Sequence, residues 1–224
     1  MTPRGSCAID FRSRVPDNTR VERVPALIVG LVMAVYWARV LRLAHKEKRR
    51  TGRAANLFPA EPLGRALRLI WFPAVALWIA LPLLYGSRAS RALDRTAAFA
   101  PLYQSAPIAW LAAAAAVAAF VATWICWRKM GRSWRMGIDP DDKTQLIVSG
   151  PYARLRHPIY ALSSLLMLCT MAILPSPAML IVGAVHLILL QWEARREELY
   201  LSNLHGAMYT DYAERTGRFL PRFF

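Results

Sequence analysis

Five stretches of the chain are almost continuously apolar, with polar and basic residues gathered in the gaps: Val24–Leu43, Leu67–Tyr85, Ala106–Trp127, Ile159–Leu174 and Ala178–Trp192. The first three approach the ~20 residues an α-helix needs to cross a hydrocarbon layer ~30 Å thick. The third is the clearest. Its alanine run, Ala112 to Ala116, carries no charge, and it ends in Trp124 and Trp127, a residue type that favours the membrane–water boundary. Small side chains there let neighbouring helices approach closely. The last two stretches are 16 and 15 residues long and are joined only by Pro175, Ser176 and Pro177. At ~1.5 Å per residue each is short for a full crossing, so the pair is predicted as a tight helical hairpin whose helices continue into polar sequence at their cytoplasmic ends. The expected fold is an all-α integral membrane protein with about five transmembrane helices.

Composition agrees with this class. Of 224 residues, 56% are hydrophobic and 19% charged, too apolar for an ordinary soluble fold. The net charge of +15 would suit a nucleic-acid binder, but the cations fall in blocks between apolar runs, as in membrane loops, so lipids rather than nucleic acid are the expected partners. With the N-terminus outside, the inner loops and tail hold 21 Lys and Arg and the outer ones eight, which favours a cytoplasmic C-terminus. Residues 1–23 carry five Arg but no short apolar region with a cleavage site, so no cleaved signal peptide is expected. Cys7, Cys126 and Cys169 have no paired or metal-ligand spacing, and neither a disulfide framework nor a metal site is predicted. The basic patch Lys46–Arg53 reads as a solvated loop held at anionic headgroups, and Trp134 and Arg135 read as interfacial anchors.

Candidate chemistry concentrates in Gly150–Tyr160, GPYARLRHPIY. Pro158 suits the first turn of the fourth helix, which sets Arg154, Arg156 and His157 just before a helix N-terminus. Guanidiniums and backbone donors there suit a carboxylate or phosphate. Gly150 and Pro151 make a turn that lets backbone approach a ligand, and Tyr152 and Tyr160 offer flat faces. On the fifth helix, His186, Leu190, Glu193, Glu197 and Tyr200 share one face by their spacing. His186, an ionisable group inside an apolar segment, is suspect by default, with a helix-to-helix hydrogen bond its plainest job. Glu197 and Glu198 lie ~100° apart around a helix, so each needs its own partner. Arg195 with Glu198, and Glu193 with Arg196, are spaced to pair along it.

Together the two regions supply donors for an anion, carboxylates for an ammonium or ribose hydroxyls, and tyrosines for a base. S-adenosylmethionine presents all of these groups. No G-x-G-x-x-G follows a strand pattern, which excludes a Rossmann methyltransferase, so a cofactor must bind at helix ends.

GPYARLRHPIY, a short hairpin, REELYLSNLHGAMYTDY and a closing RFLPRF resemble the isoprenylcysteine carboxyl methyltransferase family, which is related to the membrane phospholipid N-methyltransferases. The resemblance covers roughly Gly131–Phe224; the first three helices match it only in being hydrophobic. It implies a methyltransferase region over 128–224, behind a basic segment over 1–23 and three helices over 24–127, with a cofactor pocket on the cytoplasmic side. The cofactor set it implies is Gly150, Tyr152, Arg156, His157, Pro158, Tyr160, Glu197, Glu198 and Tyr209, with Gly206 and Tyr212 in the second motif. Arg195, Arg196 and Glu198 are then the candidates for catalysis, the arginines orienting an anionic acceptor. Leu162 stands where the family usually has glycine, and His205 where it commonly has Phe, departures that bear on the acceptor. The acceptor expected is lipophilic: an isoprenylcysteine-type carboxylate, a lipid amine or a thiol. Two other readings are an NADPH-dependent lipid or sterol reductase and a non-enzymatic membrane scaffold; cofactor binding separates all three.

Overall fold

A computed structural model describes residues 18–52, 62–87, 89, 105–134, 138 and 145–222. Cys7, Arg135, the basic residues from Arg88 to Arg95 and residues 1–17 of the N-terminal segment lie outside the described residues. Among the described residues six α-helices follow in order: α1 (Asn18–Thr51), α2 (Pro62–Gly86), α3 (Ala106–Met130), α4 (Pro158–Ile173), α5 (Pro177–His205) and α6 (Ala207–Arg215). No strand occurs among the described residues. Among the described residues four helices are long and apolar enough to cross a membrane: Arg23–Arg50 within α1, then α2, α3 and α5.

The predicted hairpin is present but unequal. The fourth helix has 16 residues, whereas the fifth runs 29, well beyond its apolar portion. Only α5 continues into polar sequence. Pro158 occupies the first turn of α4, and the residues before it are drawn into a different pairing, described below. Between the two, Ser176 caps α5 by accepting from the Met179 amide at 3.2 Å. Ser105 caps α3 in the same way through Ile108 at 3.4 Å.

The helices close into a ring, α1 against α2, α2 against α5, α5 against α4, α4 against α3 and α3 against α1. Small residues set the closest approaches. A Cβ on Gly30 of α1 would meet the Leu83 side chain of α2 at 2.6 Å. Ala109, Ala112, Ala113, Ala116 and Ala119 are buried along α3, as the alanine run predicts. Leu69, Leu111 and Ile181 point outward, where a bilayer supplies the missing apolar contact. Cys126 and Cys169 are buried free thiols.

Buried polar groups tie helix to helix. Trp78 Nε1 donates to Thr170 Oγ1 at 2.9 Å, joining α2 to α4. His186 takes the Trp71 indole N–H on Nδ1 at 3.1 Å and meets Ser163 Oγ through Nε2, also at 3.1 Å. Because Nδ1 accepts, the imidazole proton is assigned to Nε2, which donates to the serine. His186 thus links three helices, the plain role expected for it.

Candidate functional site

Two segments far apart in sequence meet at one end of the ring. The turn 150–157 lies alongside residues 216–218, beyond α6, with an isolated parallel bridge between Leu155 and Gly217. The Arg156 amide donates to Gly217 O at 2.8 Å, His157 N to Arg218 O at 3.2 Å, and Gly217 N to Arg154 O at 3.1 Å. Tyr212 of α6 buttresses the turn, its hydroxyl donating to Tyr152 O at 2.8 Å. The backbone donors just before α4 are therefore satisfied within the protein rather than open to a ligand carboxylate. His157 occupies the N-cap position without capping through its side chain.

Side chains lock this C-terminal strap in place. Glu198 accepts from Arg156 Nε at 2.9 Å and from Arg218 through Nε at 2.9 Å and Nη2 at 2.5 Å. Arg156 also donates through Nη1 to the carbonyls of Ala213, at 2.8 Å, and Thr216. His157 lies between the two glutamates, Nδ1 3.4 Å from Glu197 and Nε2 3.4 Å from Glu198. Its ring stacks on Tyr160 at 5.3 Å with planes 3° apart and meets the edge of Phe219. Burial disfavours the imidazolium, but the two carboxylates outweigh it and hold the His157 pKa above its ordinary value. Tyr160 donates to Glu197 at 2.5 Å.

A cavity of about 200 Å³ opens beside this cluster. Tyr152, Arg156, His157, Pro158, Tyr160, Glu197 and Tyr209, all singled out from the sequence, line it. Tyr212 of the second motif lines it too, whereas Gly150, Arg195, Arg196, Glu198 and Gly206 do not. Gly150 is an exposed turn residue with φ of 66°, nearest the Lys129 side chain. Arg195 is exposed, and the expected Arg195–Glu198 pair is replaced by the two arginines and the histidine that hold Glu198 from other segments. Glu198 sits behind the wall as the anchor of the strap. Arg196 pairs with Glu193 at 2.9 Å, as its spacing predicts, and also stands outside the lining.

The first three helices contribute far more than hydrophobicity. Tyr36 and Trp37 of α1, Trp71 of α2 and Trp127 of α3 form an aromatic wall. Trp127 and Trp134, expected at the membrane boundary, are buried in the cavity lining instead. Tyr36 lies 4.9 Å from Trp127, ring to ring, which explains why Trp127 turns inward. Arg68, counted among the loop cations, is buried on α2 and bonded to Glu193 at 3.3 Å. Its place inside the second apolar stretch was the available signal, by the same rule that singles out His186.

The cavity offers a fair match to S-adenosylmethionine. Tyr209 presents a buried hydroxyl with no partner among the described residues, and burial raises its pKa so that it stays a donor. Arg156 supplies a cation, Glu197 a carboxylate, and the aromatic wall a face for a base. Residues 108–208 match the family model for phospholipid methyltransferases. The matched stretch runs from the start of α3 into the first turn of α6 and so includes the 150–160 turn, Glu197 and Glu198. It points to a membrane methyltransferase and leaves the acceptor open. No curated protein matches the chain.

Proposed function

We propose that the protein is an S-adenosylmethionine-dependent methyltransferase of the isoprenylcysteine carboxyl methyltransferase type, acting on a lipophilic acceptor that enters from the bilayer. The observation that carries this reading is the convergence of the 150–160 turn with Glu197 and Tyr209 around one cavity, within and next to the stretch matched by a methyltransferase family. When bound, the cofactor would supply a methyl group on a sulfonium, from which a neutral thioether departs as the leaving group. The chain's own residues then position and exclude water. Arg156 meets the cofactor's carboxylate, Tyr209 and Glu197 meet hydroxyl or ammonium groups, and Tyr152 and the tryptophans flank the base. Glu198 acts through Arg156 and Arg218, as a positioning residue. The excess of basic residues in alternate loops supports an outer N-terminus and a cytoplasmic C-terminus, with the cavity at the inner face.

The test is a methyl-transfer screen with labelled S-adenosylmethionine and purified protein in detergent, offering a prenylated cysteine, an aminophospholipid and a small thiol. Label in any acceptor that depends on Tyr209 and Arg156 supports the reading. Absence of transfer to all three, together with binding of NADPH, would replace it with the reductase.

A further inference from the structure

The outer face of α1 changes character along its length. Near its end Val40 and Ala44 are buried against the bundle, and Lys46–Thr51, expected within a solvated loop, continue the helix instead. At ~100° per residue, Arg42, His45, Lys46 and Arg49 fall within an arc of ~100° on the side opposite Val40 and Ala44. All four are exposed, and with Leu41 they line one shallow groove. None of the four side chains has an ion pair or hydrogen bond among the described residues. Glu47, the one acidic residue between Glu22 and Thr51, lies outside the arc and takes two hydrogen bonds from Arg50, at 3.1 and 2.6 Å. Below this stripe the same arc is apolar: Leu31 and Val35 lie on it and are 58% and 52% exposed. The change falls at the membrane boundary. The apolar run that begins at Val24 reaches ~30 Å, the thickness of the hydrocarbon layer, by Leu43. Arg39, one turn below Arg42, has its guanidinium carbon 4.7 Å from the ring centre of the exposed Trp124, a residue type that favours that boundary. Val35 and Arg42 are two turns apart, ~10 Å along the axis, so the apolar and cationic surfaces form one track.

We propose that this face of α1 is a binding site for an anionic phospholipid, its phosphate held by Arg42, Lys46 and Arg49 with His45 beside them, and an acyl chain lying over Leu31 and Val35. Any lipid tail would cover Leu31 and Val35. Basic side chains on one face with no acidic partner add a requirement for negative charge in the headgroup. The site is independent of the methyltransferase reading. Tyr36, Trp37 and Val40, which line the cavity, stand on the opposite side of the helix, and α1 lies outside the stretch that the family model covers.

The experiment reads lipid binding to the full-length protein in neutral detergent by native mass spectrometry, with phosphatidylglycerol, phosphatidylcholine and glycerol phosphate as ligands. The first is an anionic lipid, the second a zwitterionic one, and the third a phosphate without tails. Wild-type protein should bind phosphatidylglycerol about tenfold or more tightly than phosphatidylcholine, and glycerol phosphate at equal concentration should displace neither. At about fivefold per cation, Arg42→Gln with Arg49→Gln should weaken phosphatidylglycerol binding about 25-fold and leave phosphatidylcholine binding unchanged. Arg128→Gln with Lys129→Gln removes the same charge from the end of α3, on the same side of the bundle, and should weaken binding by less than about threefold. All four side chains are exposed, so both variants should keep the thermal stability of the wild type. Equal affinity for the two lipids, an equal loss in both variants, or displacement by glycerol phosphate would overturn the proposal. A preference for the anionic lipid that disappears in the α1 variant alone would support it, whether or not the protein transfers methyl groups.

Discussion

Replacing Glu198 by alanine tests how the site is held together. In the native protein this carboxylate takes three charge-assisted hydrogen bonds, one from Arg156 and two from Arg218, with His157 beside it. The side chains of Glu198 and Arg156 are 15% and 11% exposed, so the alanine variant leaves a largely buried guanidinium short of its partner. Removing one member of a buried pair costs roughly 3–5 kcal/mol. Arg156 keeps the carbonyls of Ala213 and Thr216, and Arg218, 30% exposed, can turn to solvent, so the lower end, roughly 3 kcal/mol, is expected. The loss should be local, because the ring of α1 to α5 makes no use of Glu198. Hydrogen exchange in detergent reads it directly at the amides of Arg156, His157 and Gly217, which pair the turn to the strap. Their protection should fall on the order of 100-fold, while α3 amides change little. A fall of less than about threefold, or an equal fall throughout α1 to α3, would refute the idea that Glu198 clamps the strap.

Three further outcomes follow from the same contacts. A Cβ on Gly217 would lie 1.6 Å from Leu220 O, so Gly217→Ala should release residues 216–222 and make them susceptible to limited proteolysis, with the bundle intact. Tyr209→Phe deletes a buried hydroxyl that lacks a partner among the described residues, and should raise or leave unchanged the thermal stability of the ligand-free protein while weakening cofactor binding by about tenfold. The His157 pKa is raised in the folded protein, so its contribution is complete below the ordinary value of 6.5 and is lost as pH rises through the raised one. Protection of the strap amides, corrected for intrinsic exchange, should therefore decline with rising pH, and His157→Gln should flatten that profile.

The helical class and the start of α4 at Pro158 were legible because apolar run length and proline's missing donor act locally. The approach of the 150–160 turn to Glu197 and Tyr209 was legible only through motif resemblance, since nothing in spacing alone brings residues some forty positions apart together. The partner of Glu198 was misread for a related reason. Helical spacing offers Arg195, but Arg156 and Arg218 win because they reach Glu198 from segments that are themselves bonded to each other. Trp127, Trp134 and Arg68 were assigned to the boundary or the loops on residue type, and the ring packing turned them inward. Which face of a helix a tryptophan occupies depends on the neighbouring helices, and the sequence of one helix does not carry that information.

The proposed function requires that the 150–160 turn, Glu197 and Tyr209 enclose a site for a sulfonium nucleotide. Calorimetric titration of the purified protein with S-adenosylmethionine, S-adenosylhomocysteine and NADPH tests it most directly, with Arg156→Ala as the paired variant. The account predicts saturable binding of the first two, loss of both in the variant, and no binding of NADPH. Binding of NADPH in place of the sulfonium compound, or of none of the three, would contradict it.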